Sequence, residues 1–249
     1  MWIILAFISA ALLGFYDVAK KQALRHNAVP NILLLNTLLS SIIFLPVIIA
    51  GEFSLDWFSD TIFDIGPASQ RAHLLIFIKS LIVLSSWAFG YMGIKHLPIT
   101  IVGPINATRP VLTLCGAMLI FGERLNGYQW VGVVLAILSL YLLSRSSKKE
   151  GVNFAHNRWI LCVAAAAIIG VGCGLYDRYI MYSMNAVFVQ SWYTFYQFLL
   201  MSIIVAVLWW PKRHEQKFHW SWAIPMISIL LTTADMAYLH SLTEASAMI

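Results

Sequence analysis

The chain's 249 residues are 60% hydrophobic and only 11% charged, whereas roughly a quarter of an ordinary soluble domain is charged, so a soluble globular fold is excluded. The apolar residues fall into blocks near the twenty or so residues that cross a ~30 Å hydrocarbon core, which predicts an all-α, polytopic membrane helix bundle in a lipid bilayer. The net charge of +5 fits Lys and Arg gathered in cytoplasmic loops. No basic run is interleaved with stacking aromatics, so nucleic acid is not an expected partner.

In chain order, spans are expected over residues 2–19, 32–50, 74–94, 99–121, 130–143, 159–176, 187–210 and 220–239. The N-terminal block lacks the basic leader of a cleaved secretory signal and reads as a retained first span. Polar punctuators separate the blocks, among them His26-Asn27-Ala28-Val29-Pro30, Glu123-Arg124-Leu125-Asn126-Gly127 and Pro211-Lys212-Arg213-His214-Glu215. They carry the charges that hydrocarbon would exclude. Alternate loops then divide unevenly: Lys20, Lys21, Arg25, Lys95, Arg145, Lys148, Lys149, Arg158, Lys212, Arg213 and Lys217 fall on one side, against Arg71, Arg124 and Arg178 on the other. By the positive-inside rule the richer side is cytoplasmic, which places the N-terminus outside a multi-pass protein of the cell (inner) membrane.

Internal repetition organises the chain. Gly14-Phe15-Tyr16-Asp17 near the end of the first block is answered by Gly174-Leu175-Tyr176-Asp177 near the end of the sixth, and Asn27-Ala28-Val29 by Asn185-Ala186-Val187. Ser85-Ser86 with Tyr91 is answered by Thr232-Thr233 with Tyr238. Five spans separate the copies, an odd number, so the second copy is inverted. The loop charges agree, since the loop after span two is acidic and its counterpart after span seven is basic. Inverted-topology repeats are a device of secondary transporters. The expected organisation is a first five-helix repeat over residues 1–146, a cytoplasmic linker over 147–157, and a second repeat over 158–249 holding three of an expected five helices.

The stretch from Leu114 to Ser144, with Phe121-Gly122-Glu123-Arg124-Leu125-Asn126-Gly127-Tyr128-Gln129-Trp130-Val131-Gly132 at its centre, and Lys95-His96-Leu97-Pro98 before span four, resembles the EamA-type members of the drug/metabolite transporter superfamily. What the resemblance implies is a ten-helix carrier with an internal duplication that moves small metabolites, amino acids or drugs by alternating access. On that reading the chain is a secondary transporter of a small, amino-acid-like or anionic metabolite. The alternative is a truncated, non-transporting remnant or assembly partner that keeps the membrane fold.

Ionisable groups inside spans are costly and serve as default site candidates. Arg109 lies mid-span in Pro104-Ile105-Asn106-Ala107-Thr108-Arg109-Pro110, where two prolines and Asn106 loosen the backbone. Its guanidinium fork suits a carboxylate or phosphate, or else neutralises a carboxylate within the bundle. Lys79, nearer an interface, reads either as a second cation for the substrate or as a snorkelling side chain. Asp17 has Lys20 and Lys21 at helical spacing, whereas Asp177 has no such neighbour and reads as cavity-facing, with a coupling proton as a candidate partner. Asp235, flanked by Thr232 and Thr233, completes the charged set. Tyr16 and Tyr176, which precede Asp17 and Asp177, join the candidates, while Trp87, Trp192, Tyr193 and Tyr196 could wall a cavity or belong to interfacial belts.

Small residues four apart, Ala166, Gly170 and Gly174 in span six and Gly132 with Ala136 in span five, predict close helix contacts. Cys115, Cys162 and Cys173 lie inside apolar blocks without metal-ligand spacing, and the seven histidines are scattered near span ends, so neither an enzyme nor a metal or cofactor site is expected. Self-association remains a candidate property of the uncovered half.

Overall fold

A computed structural model describes residues 2–59, 61–67, 69–122, 126–147, 157–209 and 218–246. The Glu123-Arg124-Leu125 turn, most of the linker and the basic loop over 210–217 lie outside the described residues. The described residues are helical apart from short connections and contain no strand. The helices are α1 (Trp2–Leu24), α2 (Val29–Glu52), α3 (Gln70–His96), α4 (Ile99–Ala107), α5 (Arg109–Phe121), α6 (Gly127–Ser147), α7 (Arg158–Met181), α8 (Ala186–Ile204, extended by a π-helical turn over Val205–Trp209) and α9 (Ala223–Ser246). Among the described residues, six helical segments are long and apolar enough to cross a membrane, belonging to α1, α2, α3, α7, α8 and α9. The protein is therefore an all-α polytopic membrane bundle.

Local chemistry sets the helix ends. Pro30 stands in the first turn of α2, where its missing N–H costs nothing. The Asn185 side chain caps α8 by accepting from the Val187 amide at 2.8 Å. Gly122 closes α5 in the left-handed region, φ 68°. The expected fourth span is broken at Thr108 into α4 and α5. Pro110 offers no N–H to the Asn106 carbonyl and its ring crowds that carbonyl. Thr108 therefore turns tightly, its amide and its hydroxyl both donating to Ile105 O at 3.2 and 2.7 Å.

Several helices overrun their expected ends, α1 and α7 among them. Helix α1 continues through Lys20, Lys21 and Gln22, and α7 through Arg178 to Met181, because neither segment holds a glycine or proline to stop it. Asp17 and Asp177 consequently sit inside helices instead of closing them.

The chain forms two compact units, Met1–Leu81 with Asp177–Ile249, and Ile82–Tyr176, with α3 and α7 contributing to both. In the first unit α1 and α9 pack antiparallel. The Ser9 hydroxyl donates to Ala234 O at 2.8 Å. At the far end of the same pair, Asn27 donates to His219 O at 2.9 Å and accepts from His219 N at 2.8 Å. Helices α2 and α8 also run antiparallel, with Val187 in the first turn of α8 buried against Phe44 and Val47 late in α2. Ile65 from the α2–α3 connection joins this core, with Phe58, Phe63, Phe188 and Met236 around it.

In the second unit, the latter part of α3 lies antiparallel to α7. His96 stacks on Trp159 with ring centroids 3.7 Å apart, and the Ser86 hydroxyl donates to Ala166 O at 2.9 Å. Gly93 makes this approach possible, since a β-carbon there would stand 2.2 Å from Val163 Cγ2. The expected close contact at Gly132 in α6 is not made: a β-carbon there would meet nothing within 4 Å. Leu135, Leu138 and Leu142 on the same helix are exposed, as residues facing lipid are.

Candidate functional site

Helices α3, α7, α8 and α9 of the first unit bring buried charges together. Lys79 Nζ on α3 donates to Asp177 Oδ1 on α7 in a tight ion pair. Nζ also stands 4.9 Å from the centre of the Tyr193 ring on α8. The pair is sealed, its side chains only 5% and 11% exposed. The snorkelling reading of Lys79 is thereby corrected, because an amine held between a carboxylate and a ring face does not reach an interface. Asp177, which lacks a partner on its own helix, takes one from α3. The Asp235 carboxylate on α9 lies within electrostatic reach of both Lys79 and Asp177. The Gln190 side-chain amide on α8 is buried and makes no hydrogen bond. One ammonium therefore is bonded to Asp177 and lies within electrostatic reach of a second carboxyl group, Asp235.

Around this cluster the polar groups are mostly committed. Ser80 donates to Ile76 O at 2.9 Å, and Thr232 and Thr233 donate back to their own helix. The exceptions sit on α2 and α8. The Asn36 amide, the Ser40 hydroxyl and Gln197 Nε2 are buried and make no hydrogen bond. Buried polar groups without a partner are an anomaly in the packing.

Asp17 is paired at the helical spacing expected of it. It accepts from Lys20 Nζ at 2.6 Å on the same helix, and that amine lies 4.4 Å from the centre of the Tyr16 ring. Asp17 and Asp177 each follow a tyrosine but differ in chemistry: one pair closes within a helix, the other across two.

In the second unit Arg109 opens α5 directly after the break at Thr108. Its side chain lies along the surface of α7 at Gly170, where a β-carbon would stand 3.1 Å from Cζ and Nη1 and 3.2 Å from Nε. The small residue expected to let backbones touch is therefore a seat for a guanidinium. Asn106 Oδ1, one turn earlier, is buried and unbonded. Trp87 leans on Tyr91 with ring centroids 6.4 Å apart, and Tyr176 is half-buried on α7. The structure thus groups Lys79, Asp177, Asp235 and Tyr193 in one unit and Arg109 with Asn106 in the other, while Tyr16 and Asp17 form a separate pair on α1.

A family model described as the EamA-like transporter family matches residues 1–145. The chain belongs to that family. It is accordingly a multi-pass membrane protein of a family that transports small molecules and is not a family of enzymes. No match was found among curated proteins. Three participants escaped the sequence reading of this family member. Gln190, Asn36 and Ser40 carry no charge and belong to no motif, so nothing in the sequence singles them out. Gly170 was noticed, but for a different neighbour.

Proposed function

We propose that the protein is a secondary transporter of a small metabolite bearing a carboxylate or phosphate, amino-acid-like or simply anionic. The observation that carries this reading is the seated guanidinium: Arg109 lies at a helix break in the middle of a span, bedded on Gly170. A break inside a membrane helix is tolerated where it lines a cavity, and the unbonded Asn106 Oδ1 adds an acceptor one turn away.

In this reading residues 1–146 and 158–249 are two related halves joined by a cytoplasmic linker, and transport proceeds by alternating access through a cavity between them. The antiparallel packing of α2 against its counterpart α8 supports opposite polarity of the halves. The charge bias of the loops supports an N-terminus outside the cell (inner) membrane. A coupling proton and a second copy of the chain complete the expected partners.

The test is flux into proteoliposomes holding the full chain, with a panel of labelled small carboxylates and phosphates against their neutral analogues. Uptake of an anionic member, lowered roughly tenfold to hundredfold by Arg109→Gln and partly retained by Arg109→Lys, is the expected result, because a hydrogen bond to a charged group contributes about 1.5–3 kcal/mol. Absence of flux for every member would favour the non-transporting assembly partner.

A further inference from the structure

We propose that the facing stripes of α2 and α8 in the first unit form a binding site for an uncharged solute of the carboxamide type, held by Asn36, Ser40 and Gln197, with Gln190 two turns along α8. The site uses no charged group and does not rest on the anion reading above.

Helix spacing places these side chains together. Asn36, Ser40, Phe44 and Val47 recur every three or four residues along one face of α2, as Val187, Gln190, Thr194 and Gln197 do along one face of α8. Val187 is buried in one core with Phe44 and Val47, and the two helices run in opposite directions from that contact. At a rise of about 1.5 Å per residue, Gln197 comes level with Asn36, and Ser40 falls between Gln190 and Thr194. The Ser228 hydroxyl of α9 donates to the Asn36 carbonyl at 3.3 Å, which brings a third helix to this layer.

Unused polar capacity sets the layer apart. Asn36 Nδ2 and Oδ1, Ser40 Oγ, Gln190 Nε2 and Oε1 and Gln197 Nε2 make no hydrogen bond, although each of these residues is at most 4% exposed. Their polar neighbours bond to backbone instead: Thr37 donates to Leu33 O at 3.0 Å, Ser191 to Val187 O at 2.7 Å and Thr194 to Ser191 O at 2.9 Å. A buried donor or acceptor with no partner carries its full desolvation penalty, so the layer favours a ligand that completes it. The groups themselves set that ligand's chemistry. Helix α2 has no ionisable side chain before Glu52, α8 has only tyrosines over Ala186–Ile204, and on α9 Asp235 stands two turns from Ser228. A charged group would find no counter-ion in these stripes. An acceptor alone would leave Asn36 Oδ1 and Gln190 Oε1 unpaired. A primary carboxamide donates and accepts in one plane, as the side chains facing it do.

The experiment measures binding of labelled nicotinamide to the full chain in phosphatidylcholine vesicles. Its acid, nicotinate, its acceptor-only nitrile and the smaller amide propionamide serve as competitors. Saturable binding that propionamide displaces, and that the acid and the nitrile leave in place, is expected. Asn36→Leu combined with Gln197→Met puts apolar side chains of like size in place of two amides. It is expected to weaken binding tenfold or more while the empty chain unfolds no more easily, because two unpaired polar groups are removed from the interior. Ser40→Ala, a smaller change, weakens binding about threefold to tenfold. No saturable binding, displacement by nicotinate as strong as by propionamide, or unchanged affinity in these variants overturns the proposal. So does a double variant that unfolds more easily when empty, since the amides would then be bonded within the packing. A chain that binds the amide and moves no anion refutes the transport reading alone, and one that moves anions without binding the amide refutes this site alone.

Discussion

Replacing Lys79 by methionine removes the ammonium that holds α3 to α7 and leaves two carboxylates, Asp177 and Asp235, in its place. Breaking a buried pair by deleting one partner costs about 3–5 kcal/mol, most of it the penalty of the stranded charge. The presence of Asp235 makes the two halves of the pair unequal. Asp177→Asn removes one of two carboxylates and leaves Lys79 free to turn to Asp235, so it costs about 1–3 kcal/mol, the scale of a lost hydrogen bond. Lys79→Met therefore destabilises more than Asp177→Asn, and the double variant recovers part of the loss, with a coupling energy of about 2 kcal/mol. Reversible unfolding in mixed detergent and lipid micelles, followed by far-ultraviolet circular dichroism, measures all four corners of the cycle. Equal costs for the two single variants, or a double variant whose loss is their plain sum, would refute the shared-ammonium arrangement.

Two further perturbations read the packing around the site. Gly93→Ala places a methyl 2.2 Å from Val163 Cγ2 and is expected to destabilise by about 1–3 kcal/mol, with Val163→Ala restoring most of it in the same unfolding assay. Asn27→Ala removes two hydrogen bonds to the His219 backbone, at an expected cost of about 1–3 kcal/mol, seen as faster exchange of the His219 amide hydrogen.

Much of the fold is legible in the sequence because a bilayer leaves few alternatives. Apolar blocks of spanning length must be helices, and the break in the fourth span is announced by Pro104 and Pro110 flanking Asn106. The site is less legible. Lys79 and Asp177 are 98 positions apart, and helix periodicity says nothing about which face of which helix they share, so Lys79 could be read only by its depth. Asp17, whose partner lies three residues along the same helix, was open to a purely local argument. Gly170 illustrates a different limit. A small residue looks the same whether it lets a neighbouring helix's short side chain approach, as Gly93 does for Val163, or cradles a long one, as Gly170 does for Arg109.

The central claim is that the two related halves insert with contrary polarity, and the connections after α2 and after α8 test it most directly. With Cys115, Cys162 and Cys173 replaced by serine, single cysteines are placed at Asp64 and at His219 and labelled in intact cells with a membrane-impermeant maleimide. The account predicts that the cysteine at 64 is labelled from outside and that the one at 219 is labelled only after the membrane is opened. Labelling of both from the same side would contradict it.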